Sequence, residues 1–263
     1  MRPEDMPNMV RKNTLKARMA AGEVVYGPFM NCSYGAFIEI VGMAGFDYAI
    51  IDSEHGPLSM ETAEDLCRAG QGAGLAPIVR VRANEPSLIQ RALDIGSAGV
   101  QVPQIETRAD AEAVVRASKY APLGGRGLSY YTRAGDYVLG GTEGVTDALN
   151  GEQLVIIHVE GVRGLENLDA ILEVEGIDVV FLGPYDLSQS FGIPGRVSDP
   201  RVVRGMEEAT KKIRAANKWA GTFAADAATA ARWVDAGVQY ISLGVDVGIF
   251  GAACRALLAE VRG

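Results

Sequence analysis

The sequence predicts a (β/α)8 TIM barrel, and three observations carry that prediction. Short apolar runs rich in β-branched residues recur eight times, at 24–30, 48–52, 77–81, 99–103, 154–160, 179–183, 220–223 and 240–244. Each is apolar on both faces and bounded by Gly, Pro or Asp, the pattern of a parallel strand buried from both sides. Stretches of helical period alternate with these runs, and eight strand–helix units in about 250 residues suit a closed barrel better than an open sheet. The whole chain, residues 1–263, is accordingly expected to form one barrel domain.

The helical stretches are read in order. Segment 57–73 brings Leu58, Ala63, Leu66 and Ala69 near one face, and 87–95 does the same with Leu88, Ile89, Ala92 and Leu93. Segments 109–118, 165–174, 200–217, 225–236 and 247–261 continue the series. Gly74, Gly96, Gly176 and Gly237 stand where helix C-caps are expected. Phrases such as Met43-Ala44-Gly45-Phe46-Asp47 and Val234-Asp235-Ala236-Gly237-Val238 repeat a helix end, a glycine and entry to a strand. The rhythm breaks at 121–151, a segment rich in Gly and Tyr. It is too long for an ordinary connection and suggests a lid, a subunit contact or an exposed loop, with Tyr130, Tyr131, Tyr137, Arg126 and Arg133 as its notable side chains.

Composition excludes several function classes. With 48% hydrophobic and 22% charged residues the chain is ordinary globular material. A net charge of −8 without a basic run argues against nucleic acid or an anionic membrane as partner. Cys32, Cys67 and Cys254 are scattered, with no C-x-x-C, so neither a disulfide framework nor a zinc site is expected, and a reducing cytoplasm is the expected compartment. The first 16 residues lack the apolar core of a signal peptide, and no stretch approaches the ~18 apolar residues of a membrane span. P-loop, G-x-G-x-x-G and G-x-S-x-G patterns are absent, and Gly124-Gly125-Arg126-Gly127 is a poor phosphate signal without a strong following helix.

A barrel places its chemistry at the C-terminal ends of its strands. His55 and His158, the only two histidines, both fall there, and histidine is the natural general base near neutrality. Glu160 and Asp186 end neighbouring strands. Two carboxylates sharing a small volume repel one another unless a cation joins them, and a hard oxygen pair fits Mg2+ or Mn2+. Salt bridges to Arg163 or Arg126 are the competing reading. Arg80 interrupts the apolar strand Ile78-Val79-Arg80-Val81 and needs either an ion-pair partner or a substrate anion. The amides of Tyr185 and Asp186 open a helix after Gly183-Pro184, where a carboxylate is well received. Asp52 and Asp94 are both candidates to orient His55.

These residues resemble the HpcH/HpaI class of metal-dependent pyruvate aldolases. The resemblance rests on Ile51-Asp52-Ser53-Glu54-His55-Gly56, Pro77-Ile78-Val79-Arg80-Val81, Gly99-Val100-Gln101-Val102-Pro103-Gln104, Val159-Glu160 with Leu165-Glu166-Asn167-Leu168-Asp169, and Val180-Phe181-Leu182-Gly183-Pro184-Tyr185-Asp186-Leu187-Ser188. It implies a barrel of the phosphoenolpyruvate/pyruvate-domain type with a swapped last helix, assembled as a homo-oligomeric trimer of dimers. It also implies His55 as catalytic base, Arg80 as stabiliser of the pyruvate enolate, and Asp94 as the carboxylate that raises the basicity of the histidine, across a subunit interface. Glu160 and Asp186 become ligands of Mg2+, Mn2+ or Co2+, and the Tyr185 and Asp186 amides the substrate carboxylate site. Members usually carry Gln where His158 stands, and that Gln touches substrate, so His158 is expected at the substrate. The implied reaction is reversible aldol cleavage of a 4-hydroxy-2-oxo acid to pyruvate, or a related 2-oxo acid, and an aldehyde. No lysine falls at a strand end, which disfavours an imine route. A CoA-thioester lyase of the citrate lyase β or malyl-CoA type, and a non-catalytic metabolite-binding barrel, are the alternatives.

Overall fold

The computed structural model describes residues 10–139 and 141–263; most of the N-terminal stretch read above for a signal peptide, residues 1–9, lies outside them. Eight parallel strands close in sequence order into a barrel: β1 Val25–Met30, β2 Tyr48–Asp52, β3 Ala76–Arg80, β4 Gly99–Val102, β5 Leu154–Val159, β6 Val179–Leu182, β7 Trp219–Ala224 and β8 Tyr240–Val245. β8 pairs with β1 to seal the ring. The helices are α1 Thr14–Ala20, α2 Gly35–Met43, α3 Met60–Gly72, α4 Pro86–Asp94, α5 Arg108–Ser118, α6 Val145–Glu152, α7 Val162–Glu166, α8 Leu168–Leu172, α9 Pro184–Ser190, α10 Pro200–Ala215, α11 Ala227–Asp235 and α12 Asp246–Arg262. None is long and apolar enough to cross a membrane.

Every strand read from the sequence is present. Gly96 and Gly237 have φ of +79° and +100°, as their helix-stop positions require. The helical readings needed correction in several places, and α1 and α6, like α2, were not among the segments read. The stretch 165–174 is two short helices, α7 and α8, that part at Asn167. α2 was not among the helical segments read, because Gly35–Met43 is apolar on nearly all sides and shows no polar face to betray its period.

Side chains alternate along each strand, so one set in two fills the barrel. The interior set is Val25 and Phe29, Tyr48 and Ile50, Ala76 and Ile78, Leu154 and Ile156, Val179 and Phe181, and Tyr240. Leu15 and Met19 of α1 close the bottom against them. Tyr48 and Tyr240 stack at 4.2 Å between centroids. The outward set packs on the helices in a second, larger core.

Carried two residues further, the interior set becomes polar. Ile50 leads to Asp52, Ile78 to Arg80, and Ile156 to His158 and then Glu160. Strand register sets Asp52 beside Arg80 and Arg80 beside Gln101. The sequence period thus builds an apolar floor and a polar mouth.

The segment 121–151 is not a lid over that mouth. Its 3-10 turn Arg133–Val138 and α6 lie at the other end of the barrel, where Tyr120, Ala134, Val145 and Leu149 form a small core of their own. Arg133 bonds Gln71 Oε1 at 2.5 Å and the carbonyls of Ile95 and Gly96. This segment runs between the bottom of α5 and the start of β5, so chain connectivity keeps it there.

Candidate active site

A cavity of about 450 Å3 opens at the polar mouth. Its walls include Phe29, Asn31, Asp52, His55, Arg80, His158, Glu160, Phe181, Tyr185, Asp186 and Phe223. A second cavity, about 240 Å3, lies at the opposite end, where Lys12 pairs with Glu152 at 2.8 Å. Strand polarity decides between them, because catalytic groups in this fold gather at the C-terminal ends.

Arg80 and Asp52 form a two-pronged buried pair, Nε to Oδ1 at 2.9 Å and a terminal nitrogen to Oδ2 at 2.7 Å. The other terminal nitrogen lies 3.0 Å from Glu54. The guanidinium also sits 4.6 Å from the Phe29 ring centroid. Of the five N–H donors of arginine, Asp52 and Glu54 leave two for a ligand. Asp52 Oδ1 further accepts the amides of Glu54 at 3.0 Å and His55 at 3.3 Å. Asp52 therefore shapes the loop that carries His55, holding its backbone and not its ring.

Glu160 and Asp186 face one volume. The point where a Cβ on Gly183 would lie is 2.9 Å from Glu160 Oε2 and 3.7 Å from Asp186 Oδ2. Arg163 pairs with Glu106 and Arg126 with Asp94, so neither arginine neutralises this pair. Glu160 Oε1 accepts the Gln104 amide at 2.9 Å and Oε2 the His158 Nδ1–H at 2.9 Å. Burial works to raise the Glu160 carboxyl, but the charge and hydrogen bond of His158, the Gln104 amide and Arg80 outweigh it and hold its pKa below the ordinary range. Asp186 goes the other way: burial first, then the charge of Glu160, push its pKa up. Among the described residues no cluster of three or more His, Cys, Asp or Glu could hold a metal. A cation here would rest on two carboxylates and take its remaining ligands from water or substrate. The donor set suits a hard divalent ion, and the missing Cβ at Gly183 leaves room beside both carboxylates.

The structure brings His55, Arg80, His158, Glu160, Tyr185 and Asp186 to this one cavity. His55 is exposed at its rim. Tyr185 opens α9 and meets the Phe223 ring edge-on at 5.8 Å. His158 is 1% exposed and stacks on Phe181 at 4.5 Å. Its Nδ1 is given to Glu160, and its Nε2 lies 2.5 Å from the Gln101 carboxamide. With both ring nitrogens taken, His158 supports Glu160 from below; the substrate contact expected from the sequence has no free donor. Asp94 is not brought to His55 within the chain. It ends α4, outside the barrel wall, and its carboxylate is held by Arg126 at 2.5 Å. The sequence reading gave no role to Asn31 or to the aromatic wall of Phe29, Phe181 and Phe223, since a Phe inside a strand reads as ordinary core.

An eight-stranded parallel barrel with its cavity at the C-terminal mouth defines the class: a TIM-barrel enzyme. The family model for HpcH/HpaI aldolase/citrate lyase matches residues 26–253, and the chain belongs to that family. It is similar to the 5-keto-4-deoxy-D-glucarate aldolase of Escherichia coli, 34% identical over 258 residues that cover 96% of this chain and 98% of the relative. A HpcH/HpaI aldolase/citrate lyase family protein from Burkholderia cenocepacia superposes with a TM-score of 0.91 at 34% identity, covering 96% and 100% of the two chains. A citrate synthase, SbnG, superposes with a TM-score of 0.86 at 33% identity, covering 94% and 97%. The β subunit of citrate lyase from Mycobacterium tuberculosis, at 16% identity and a TM-score of 0.58, shares the fold alone. The chain is thus a carbon–carbon lyase of the aldolase type.

Proposed function

We propose that the protein cleaves a 4-hydroxy-2-oxo acid reversibly to pyruvate, or a related 2-oxo acid, and an aldehyde, with Mg2+, Mn2+ or Co2+ held between Glu160 and Asp186. The observation that carries this reading is the convergence of that carboxylate pair with Arg80 and His55 in one cavity. When bound, the cation supplies positive charge for the carboxylate and ketone oxygens of the substrate. The keto-acid end lies toward Glu160, Asp186 and the two uncommitted N–H groups of Arg80, with the amides at Tyr185 and Asp186 receiving its carboxylate. His55 accepts the proton of the 4-hydroxyl. The C3–C4 bond then breaks, its electron pair passing into an enolate whose oxygen Arg80 stabilises, and a proton added at C3 completes the 2-oxo acid. Among the described residues no lysine lines the cavity, which leaves an imine route without its nitrogen.

A homo-oligomer, a trimer of dimers in the cytoplasm, belongs to the same reading. Along α12 only Asp246 is buried, while Ile249, Phe250, Leu257, Leu258 and Val261 are exposed on a helix that should cover a barrel. Exchange of this helix between copies would bury that face, and a neighbouring copy is also the only source of an Asp94 for His55. The test is a retro-aldol screen over 4-hydroxy-2-oxo acids with pyruvate release as readout. Activity lost with EDTA and restored by Mg2+, Mn2+ or Co2+ is expected, as is a loss of about 100-fold or more in His55→Ala. Turnover indifferent to chelation and trapped by borohydride would refute the proposal.

A further inference from the structure

We propose that Gln101 and Tyr240 are positioning residues for Glu160. With His158 they form a one-way chain of hydrogen bonds through the barrel interior, which fixes the His158 ring proton on Nδ1 and aims the Glu160 carboxylate into the cavity. The inference rests on the reading of Glu160 as a metal ligand and adds what holds that carboxylate in place.

The three side chains come from different strands, Gln101 from β4, His158 from β5 and Tyr240 from β8, and all three are buried. At that depth each polar atom must find its partner within the protein. Tyr240 Oη lies 3.3 Å from Gln101 Oε1. A carboxamide oxygen only accepts, so the phenol donates. The other end of the same carboxamide, Nε2, lies 2.5 Å from His158 Nε2. A carboxamide nitrogen only donates, so His158 Nε2 accepts and carries no proton. The neutral ring therefore has its proton on Nδ1, 2.9 Å from Glu160 Oε2, and donates it there. The direction of each bond follows from the one before it, from Tyr240 to Gln101 to His158 to Glu160.

Ring contacts hold the chain in place. Phe181 stacks on His158 at 4.5 Å with 19° between the planes, and Tyr48 stacks on Tyr240 at 4.2 Å with 18°. What stays free is the Gln101 carboxamide, whose half-turn would exchange its oxygen and nitrogen. Turned that way, its oxygen would draw the ring proton to Nε2 and set the bare Nδ1 lone pair against the Glu160 carboxylate. The Tyr240 hydroxyl opposes the turn, because it would lose the acceptor it has. Neither Gln101 nor Tyr240 lines the cavity, whereas His158 and Glu160 do, so their influence on the site passes through the His158 ring. A buried network of this kind fixes one arrangement only while every member is satisfied.

The experiment compares the full chain in wild type, Gln101→Leu, Tyr240→Phe, His158→Leu and the double variant Tyr240→Phe with His158→Leu, with Tm measured for each. Tyr240→Phe keeps the ring and its stack on Tyr48, so it is the variant least exposed to loss of the fold. The chain has two histidines, so imidazole nitrogen NMR on isotope-labelled, metal-free protein at about pH 8 reads the His158 ring directly, with His55→Ala to assign it. The wild type is expected to carry the proton on Nδ1, with Nε2 bare and hydrogen-bonded, and Gln101→Leu to lose that hydrogen bond. Mn2+ affinity by calorimetry is expected to fall about tenfold in Gln101→Leu and in Tyr240→Phe. In the His158→Leu background Tyr240→Phe is expected to cause no further loss, because the path to Glu160 is already cut. An equal further loss there would mean a general effect on barrel packing and overturns the inference, as does Mn2+ affinity unchanged within twofold in both single variants. A ring proton on Nε2 in a wild type that binds Mn2+ overturns this inference alone. A wild type that binds no Mn2+ overturns the metal reading and this inference with it.

Discussion

Gly183→Ala tests the carboxylate pair without touching either carboxylate. Gly183 joins β6 to α9 with φ −85° and ψ 101°, a conformation open to alanine, so only the contact matters. A Cβ there would lie 2.8 Å from Glu160 Cβ and 2.9 Å from Glu160 Oε2. Carbon atoms rest at about 3.5–4.0 Å, so Glu160 must retreat by roughly 1 Å. That movement strains the two hydrogen bonds that aim its carboxylate, from Gln104 and His158. Overpacking of this kind costs about 1–3 kcal/mol of stability. The larger effect falls on function: a displacement near 1 Å costs about 100-fold in rate, and a disturbed ligand support costs about 10- to 100-fold in metal affinity. Mn2+ titration by calorimetry, with kcat/KM at saturating metal, measures both. Gly72→Ala is the control, because nothing lies within 4 Å of its Cβ position. Wild-type Mn2+ affinity and turnover in Gly183→Ala would mean that Glu160 does not hold the ion, whatever the stability.

Asp52→Asn removes half of a buried ion pair and is expected to cost about 3 kcal/mol in urea unfolding, near the lower end for such a loss because Glu54 remains 3.0 Å from Arg80; a change under 1 kcal/mol would contradict the pair's assigned weight. Lys119 is buried, with Nζ bonded to the Asn150 and Gln153 carbonyls at 2.7 and 3.0 Å, and burial lowers its pKa from 10.5 to about 8. The folded chain thus releases this proton first, the unfolded chain binds more protons between pH 8 and 10.5, and stability gains a rising contribution across that window. Lys119→Met should flatten that rise in urea midpoints taken at pH 8 and pH 10, and parallel curves would refute it. Phe250→Glu with Leu257→Glu places two charges on the exposed face of α12 and is expected to lower the mass found by light scattering; an unchanged oligomer would show that the face is not an interface.

The strands were legible because each is a short apolar run with a hard stop, and because the period of two carries over directly into interior and exterior faces. Arg80 was legible for the opposite reason, as one charge inside such a run. Its partner was not, since Asp52 could equally have served His55 until the register of β2 against β3 set it beside the guanidinium. Asn31 escaped notice because an asparagine after a strand reads as a turn former, and only the closed barrel brings it to the cavity. The segment 121–151 defeated the sequence differently: its glycines and tyrosines match a mobile lid, yet Arg126 and Arg133 anchor it beneath the barrel through Asp94, Gln71 and Gln153. Asp94 misled for a simpler reason: a carboxylate at a helix end can serve several partners, and within the chain Arg126 takes it.

Charge balance at the mouth gives the strongest reason to expect a cation there. Asp52, Glu54, Glu160 and Asp186 meet a single guanidinium, Arg80, and that guanidinium is already committed to Asp52 and Glu54. A 2-oxo acid is an anion, and an anion does not enter a cavity that carries excess negative charge without a countercharge. The strain of that arrangement is visible in the groups themselves: burial lifts the carboxyls of Glu54 and Asp186, and the charge of Glu160 adds to both. Glu160 is held low, by His158 and the Gln104 amide, so it keeps its charge and its direction. A dication between Glu160 and Asp186 would relieve the repulsion on Asp186 and would leave the free N–H groups of Arg80 to meet the substrate. The substitution of His158 by an apolar residue should therefore weaken metal binding through Glu160, before it alters any contact with substrate.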